Sequence, residues 1–165
     1  MLTIRAVREG DAEPLRRLRL RALAQAPEAF GATVDEEQAH PAEHWLDLAR
    51  LSAVGDATVV YVAIDDGRWL GMAAGRWYER DRGIAGLWGM WVDPSLRGRG
   101  VGERLVRTVR DWAADRNARF LRLGVVRGHE DPTAFYERLG FVRTGEVGTL
   151  KRDPAIGVAW LVRPV

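Results

Sequence analysis

Short strand-like runs alternate with amphipathic stretches along this chain. The alternation predicts an α/β (α+β) protein with a mixed, mostly antiparallel six- to seven-stranded sheet and helices on both faces. The expected order is β-α-α-β-β-β-α-β-α-β-β. Three observations carry the expectation. Residues 58–64 are an unbroken run of β-branched and apolar side chains, as in a strand buried on both faces. Val101, Leu105, Val109, Trp112 and Ala113 form one continuous stripe at helical spacing. Three strand-like runs separated by turn signals precede that helix, and another strand follows it, which requires both meander and crossover connections. At 165 residues the chain suits a single domain over 1–165.

The elements follow in order. Residues 2–7 read as a first strand. Asp11 is placed to cap a helix with Pro14 in its first turn and Leu15, Leu18 and Ala22 on one face. Ala26-Pro27 interrupts it. A second helical stretch is expected over 35–51, with Trp45, Leu48 and Ala49 inward. Residues 58–64 and 68–77 form a hairpin around Asp65-Asp66-Gly67. Residues 84–92 are the next strand, ended by Asp93-Pro94 because proline cannot donate to a ladder. The amphipathic helix from Val101 comes next, then a strand over 119–126. A short helix over 132–139 is stopped by Gly140. Strands over 141–147 and 157–162 close the chain.

Composition excludes several classes. With 47% hydrophobic and 29% charged residues the chain is an ordinary globular composition rather than a disordered one. It holds no cysteine, so a disulfide scaffold, a thiolate metal site and a covalent cysteine mechanism are all excluded. Its three histidines, His40, His44 and His129, read as dispersed, and no metal is expected. A formal charge of +2 gives no basic stripe, so no nucleic-acid partner is expected. The polar N-terminal segment has no apolar signal core, and no apolar run approaches the length of a membrane span. A cytoplasmic protein with no membrane partner is the expectation.

The most informative segment runs from Val92 to Gly102. A strand ends, a glycine-rich turn follows, and the strongest helix starts there. The first-turn amides of a helix have no intrahelical acceptor, and the helix dipole places partial positive charge at that end, so this geometry binds anions. Gly98, Gly100 and Gly102 let a phosphate approach the backbone, and Arg97 and Arg99 add charge. A nucleotide P-loop is excluded because Gly102 is followed by Glu103, and the same residue breaks a dinucleotide G-x-G-x-x-G.

The run Arg97-x-x-Gly100-x-Gly102, after the strand end Met90-Trp91-Val92-Asp93-Pro94, resembles the [QR]-x-x-G-x-[GA] acetyl-CoA motif of the GCN5-related N-acetyltransferases (GNAT). A second segment at the usual distance, Ala134-Phe135-Tyr136-Glu137-Arg138-Leu139-Gly140-Phe141, resembles that family's A-x-x-L-Y-x-x-x-G-F helix and strand start. The two motifs cover about residues 86 to 145; elsewhere only the architecture is similar. The resemblance implies a GNAT-like fold, acetyl-CoA as co-substrate and acetyl transfer to a primary amine; a small-molecule acceptor is favoured, with an antibiotic, a polyamine, an amino acid and a protein N-terminus all open. It aligns Met90, Trp91 and Val92 with the strand that pairs with the pantetheine arm. It aligns Arg97, Gly98, Arg99, Gly100, Val101 and Gly102 with the diphosphate loop, and Tyr136 with the tyrosine that protonates the departing thiolate. A phenol there makes chemical sense, because its O–H can stabilise and protonate a developing thiolate. The family's splay of strands near Trp91 and Leu123 would free amides to polarise the thioester carbonyl.

The chain departs from the family pattern in two places. His129 stands where many members carry an asparagine that contacts pantetheine, so it is taken as cofactor-binding and becomes a candidate base. Gly86 and Gly124 stand where some members carry a glutamate base. Glu36, Glu37, His129 or water are therefore the candidate bases. The acidic group Glu28, Asp35, Glu36, Glu37 and Glu43 reads either as an attractive field for a cationic amine or as a solvated helix face. Trp77, Tyr78 and Trp88 read either as acceptor-pocket walls or as core. With no cysteine, direct attack of the amine in a ternary complex is expected. The departures also motivate an alternative, a non-catalytic acetyl-CoA-binding regulatory domain. A third reading, Arg97–Gly100 as an RNA-contacting segment, rests on one copy only. Exposed terminal strands would allow a homodimer.

Overall fold

A computed structural model describes residues 1–128 and 132–165 of the chain. Its strands are β1 (Leu2–Ala6), β2 (Thr58–Asp65), β3 (Arg68–Glu79), β4 (Ile84–Val92), β5 (Phe120–Val126), β6 (Val142–Leu150) and β7 (Asp153–Pro164). Its helices are α1 (Ala12–Gln25), α2 (Val34–Gln38), α3 (Ala42–Val54), α4 (Val101–Asp115) and α5 (Thr133–Arg138). The strands form one 7-stranded sheet in the order β1-β2-β3-β4-β5-β7-β6. Every neighbouring pair is antiparallel except β4–β5. Parallel neighbours need a long crossover, and α4 supplies it. The expected mixed, mostly antiparallel sheet is present.

Period-two alternation along the central strands builds a core on each face. Val59 and Ala63 of β2 and Ala73 of β3 face α4, where the predicted stripe Val101, Leu105, Val109, Trp112 and Ala113 is buried. Val60 and Val62 of β2 and Met72 and Ala74 of β3 face the other way, onto Leu15, Leu18 and Ala22 of α1 and Trp45 and Ala49 of α3. Burial on both faces is why β2 reads as a continuous apolar run. Trp112 also ties α4 to the end of α3, its Nε1 donating to the Gly55 carbonyl at 2.6 Å.

Three local expectations differ from the structure. The helix expected over 35–51 is two helices. A capping box of Thr33 and Glu36 starts α2, with each side chain bonded to the other's backbone N–H. Pro41, in extended conformation, then starts α3 afresh. Asp11 occupies the N-cap position of α1 without bonding the helix. Its carboxylate accepts the Arg8 amide at 2.8 Å and pairs with Arg5 at 2.6 Å, fixing the turn out of β1. The closing hairpin is longer than expected, reaching Leu150 and Asp153. β6 is exposed along nearly its whole length, and the added residues are held by pairing with β7 and by Leu150, which is buried.

Gly75 of β3 sits directly beneath α4. A Cβ there would lie 2.8 Å from Trp112 Cε3 and 3.0 Å from Val109 Cγ1. Gly75→Ala should therefore lower unfolding stability by about 2 kcal/mol through overpacking. Gly10→Ala, with open space around the added methyl, should change it by less than about 0.5 kcal/mol. Urea denaturation of the two variants checks the contrast.

Candidate active site

β4 and β5 pair at only three positions, Ile84 with Phe120, Ala85 with Leu121 and Gly86 with Arg122. Beyond Gly86 they part. Each stays bonded on its outer edge, β4 to β3 and β5 to β7. Residues 87–92 and 123–126 are thus left with inner edges that face one another across a cleft of about 970 Å³. Backbone donors and acceptors on such edges must find a partner from outside the sheet. A bulge in β4 accompanies the parting. Ala74 pairs with Trp88 but Met72 with Trp91, so β4 carries an extra residue there, and Gly89 takes φ +61°.

The cleft runs onto the N-terminus of α4. Asp93 Oδ1 accepts the Ser95 amide at 3.0 Å and its hydroxyl at 2.7 Å, which turns the chain out of β4. Buried Leu96 pins the turn, and Arg97 Nε donates to the Val92 carbonyl at 3.2 Å. Gly98 and Gly100 both take φ +73°, a left-handed conformation that favours glycine, and a Cβ at either would meet nothing within 4 Å. The first-turn amides of α4 therefore stand beside open space. Gly102 is different. Its missing side chain makes room for Met90 and Phe135, whose atoms lie 3.1 and 3.3 Å from where a Cβ would be.

Tyr136 closes the cleft from α5. It is 7% exposed, set edge-on to Phe135 and Phe141 with ring centroids 5.0 and 5.8 Å away. Burial pushes its pKa well above that of a free phenol, so it stays protonated through neutral and mildly alkaline pH. The structure thus brings Met90, Trp91, Val92, Arg97, Gly98, Gly100, Val101, Gly102 and Tyr136 around one cleft. Arg99 is exposed and is not among the lining residues. His129 lies outside the described residues.

The opposite end of the cleft is lined by Gln25, Ala26, Glu28, Ala29, Phe30 and Trp88. Glu28 is the one member of the predicted acidic group that lines it. Glu36 serves the capping box of α2, and Glu37 pairs with Arg19 at 3.2 Å. Glu36 and Glu37, expected as bases, therefore stand off the cleft. Trp77 packs on Trp112 and Tyr78 on Trp160, so only Trp88 of the three predicted aromatic walls reaches it. Glu37, His40 and His44 do bring donor atoms within 4.8 Å of one another, which the sequence spacing did not suggest. The two imidazoles stack at 10° between planes, so their in-plane lone pairs run side by side, and Glu37 is already engaged.

Sequence reasoning missed Arg19 and Phe30. A signal for Arg19 existed. It lies four residues after Leu15, inside the apolar stripe of α1, where a cation is out of place. The closing hairpin was expected, but the part played by its turn was not: from there Arg152 donates to the carbonyls of Gly31 at 3.1 Å and Phe30 at 3.3 Å.

A sequence model described as the acetyltransferase (GNAT) family matches residues 19–141, most of the chain. The chain belongs to the GNAT acetyltransferase family. The resemblance drawn from Arg97–Gly102 and Ala134–Phe141 is borne out. Among curated proteins the chain is 31% identical over 150 residues to the mycothiol acetyltransferase of Clavibacter sepedonicus, covering 91% of this chain and 42% of that one. The chain spans less than half the length of the curated relatives it matches. Among solved structures it superimposes on a GNAT-family acetyltransferase from Streptococcus pneumoniae with TM-score 0.83 and 20% identity, covering 100% of this chain and 99% of that one. The PaiA N-acetyltransferase of Thermoplasma acidophilum, solved in complex with coenzyme A, gives TM-score 0.77 and 15% identity over 100% and 99% of the two chains. These neighbours share the GNAT fold. Among the described residues no helix is long and apolar enough to cross a membrane.

The Asp93 turn sets the shape of the GNAT loop and gives a pH prediction. Burial alone would raise its pKa, but the hydrogen bonds from Ser95 and the charges of Arg21 and Arg68 hold it below the ordinary 3.8. A depressed folded-state pKa adds stability that is present above the unfolded value and lost as pH falls through the folded one. Wild type should be more stable than Asp93→Asn above about pH 4, and the gap should shrink as pH drops below that. Thermal denaturation across pH 2.5–7 measures the difference.

Proposed function

We propose that the protein transfers the acetyl group of acetyl-CoA directly to a primary amine of a small-molecule acceptor, within a ternary complex. One observation carries this reading: the parted inner edges of β4 and β5 open onto the N-terminus of α4 with Tyr136 on the same cleft. The residues suit the parts of acetyl-CoA. A diphosphate matches the amides at Gly98–Gly102 with Arg97 beside them. The pantetheine arm, a chain of amides, matches the unpaired edge of Met90–Val92 in the manner of an added strand. That relatives of this fold are solved with coenzyme A supports the same assignment.

In the proposed step the neutral amine attacks the thioester carbonyl, the N–C bond forms and the C–S bond breaks. The nitrogen, cationic after attack, sheds a proton to water at the open acceptor end to leave the neutral amide. Backbone N–H groups on the parted edges polarise the carbonyl. Tyr136 gives its proton to the leaving thiolate and is reprotonated from solvent, and burial keeps it in the protonated form this needs. The chain has no cysteine to form an acetyl-enzyme. The attacking ammonium must first lose a proton, and the acceptor end lies open for it to leave through water. Glu28 at that end attracts the cation.

Tyr136→Phe should reduce kcat by roughly 100-fold while leaving the acetyl-CoA-induced thermal shift intact. Thiol release with acetyl-CoA and a broad panel of primary amines supplies the assay. Acetyl-CoA binding without transfer to any amine would contradict the enzymatic reading and favour a regulatory binding domain. Full activity in Tyr136→Phe would remove the tyrosine from the mechanism.

A further inference from the structure

The acceptor end of the cleft is bordered by hydrogen-bond donors that have nothing to donate to. Arg19 of α1 is 7% exposed, with its side chain buried beneath Phe30. Its Nη2 reaches Glu37 at 3.2 Å, but its Nη1 is buried without an acceptor among the described residues. The indole Nε1 of Trp88 is likewise buried and unpaired. Buried donors of this kind are costly to leave unmade and uncommon in native proteins. The Trp91 indole Nε1, on the same cleft, is unpaired among the described residues too, and three such donors beside one cleft point to a group that arrives from outside.

The position of the guanidinium says where that group sits. Its Cζ lies 4.9 Å from the Phe30 ring and 5.9 Å from the Trp88 ring, and both rings line the cleft. A Cβ at Gly89, which also lines the cleft, would lie 3.7 Å from Nη1. Arg19 thus stands directly behind the wall at the β4 bulge, the place where the strands have parted. Arg76 approaches Trp88 as well, at 5.6 Å, adding positive charge on that side.

We propose that the acceptor carries a carboxylate close to its amine, as an amino acid does, and that Arg19 and Trp88 receive it. This deepens the acetyl-transfer reading and rests on it. The charge count selects a carboxylate over a phosphate. Glu37 already balances most of Arg19, and Glu28 at the cleft would oppose a dianion, whereas a single negative charge beside an ammonium matches both. The Phe30 ring is the cover. Its loop is held from outside by the Arg152 bonds to the Phe30 and Gly31 carbonyls, so a turn of the Phe30 side chain opens Arg19 to the cleft without dismantling the loop.

The test compares the proteinogenic L-amino acids with their carboxamides as acceptors, in wild type and in the double variant Arg19→Met/Glu37→Gln. The double variant removes both charges, so no unpaired ion is left buried. Wild type should favour the best acid over its amide by at least tenfold in kcat/KM, and the double variant should bring that ratio close to one. A merely structural Arg19–Glu37 pair would lower both rates and leave the ratio unchanged, which overturns the proposal. Equal use of acids and amides by wild type, or use of neither, also overturns it. The acetyl-CoA-induced thermal shift is recorded alongside. A normal shift with no acid preference defeats only the carboxylate assignment, whereas a missing shift brings down the transfer reading with it.

Discussion

The parting of β4 from β5 after a single short stretch of parallel pairing is the constraint on which the rest of the structure depends. A sheet that opens in its middle gives up backbone hydrogen bonds that a continuous sheet would keep. The opening persists because each strand is anchored on its far side, β4 through β3 and β5 through β7. Cores on both faces hold those anchors, with α4 packed on one side and α1 and α3 on the other. The crossover helix that parallel pairing demands also delivers its N-terminus to the opening. Topology alone thereby brings free strand edges and a helix dipole to one place.

The two ends of the cleft solve different recognition problems with different chemistry. At the α4 end the ligand-facing groups are backbone amides, exposed by glycines at Gly98 and Gly100 and by the Asp93–Ser95 turn. Such a surface suits any diphosphate and needs few side chains. At the other end the walls are side chains: Phe30, Trp88 and Glu28, with Arg19 behind them. In the proposed reaction, selectivity among amines belongs there. The segment carrying Phe30 is clasped by Arg152 from a hairpin distant in sequence, so this end of the cleft is assembled from both ends of the chain.

Much of this was legible in the residues. The α4 stripe and the apolar run of β2 report burial directly, because periodicity is set by the faces a segment must hide. The glycine-rich turn is likewise written in residue types that a left-handed backbone requires. What was not legible depends on long-range pairing. Nothing local distinguishes residues 87–92 as unpaired on one edge. The strand expected over 141–147 runs on to Leu150 because β7 lies beside it. The break between α2 and α3 was visible in Pro41, which the single helix expected over 35–51 ran across. Arg19 in an apolar stripe was a visible anomaly whose meaning needed Trp88, Phe30 and Gly89 around it.

Amide hydrogen exchange with and without acetyl-CoA tests the central claim most directly. The account predicts new protection confined to Met90–Val92 and to Gly98–Gly102, with β6 unchanged. Protection that falls elsewhere, or saturating acetyl-CoA binding that leaves those amides exchanging as before, would contradict it.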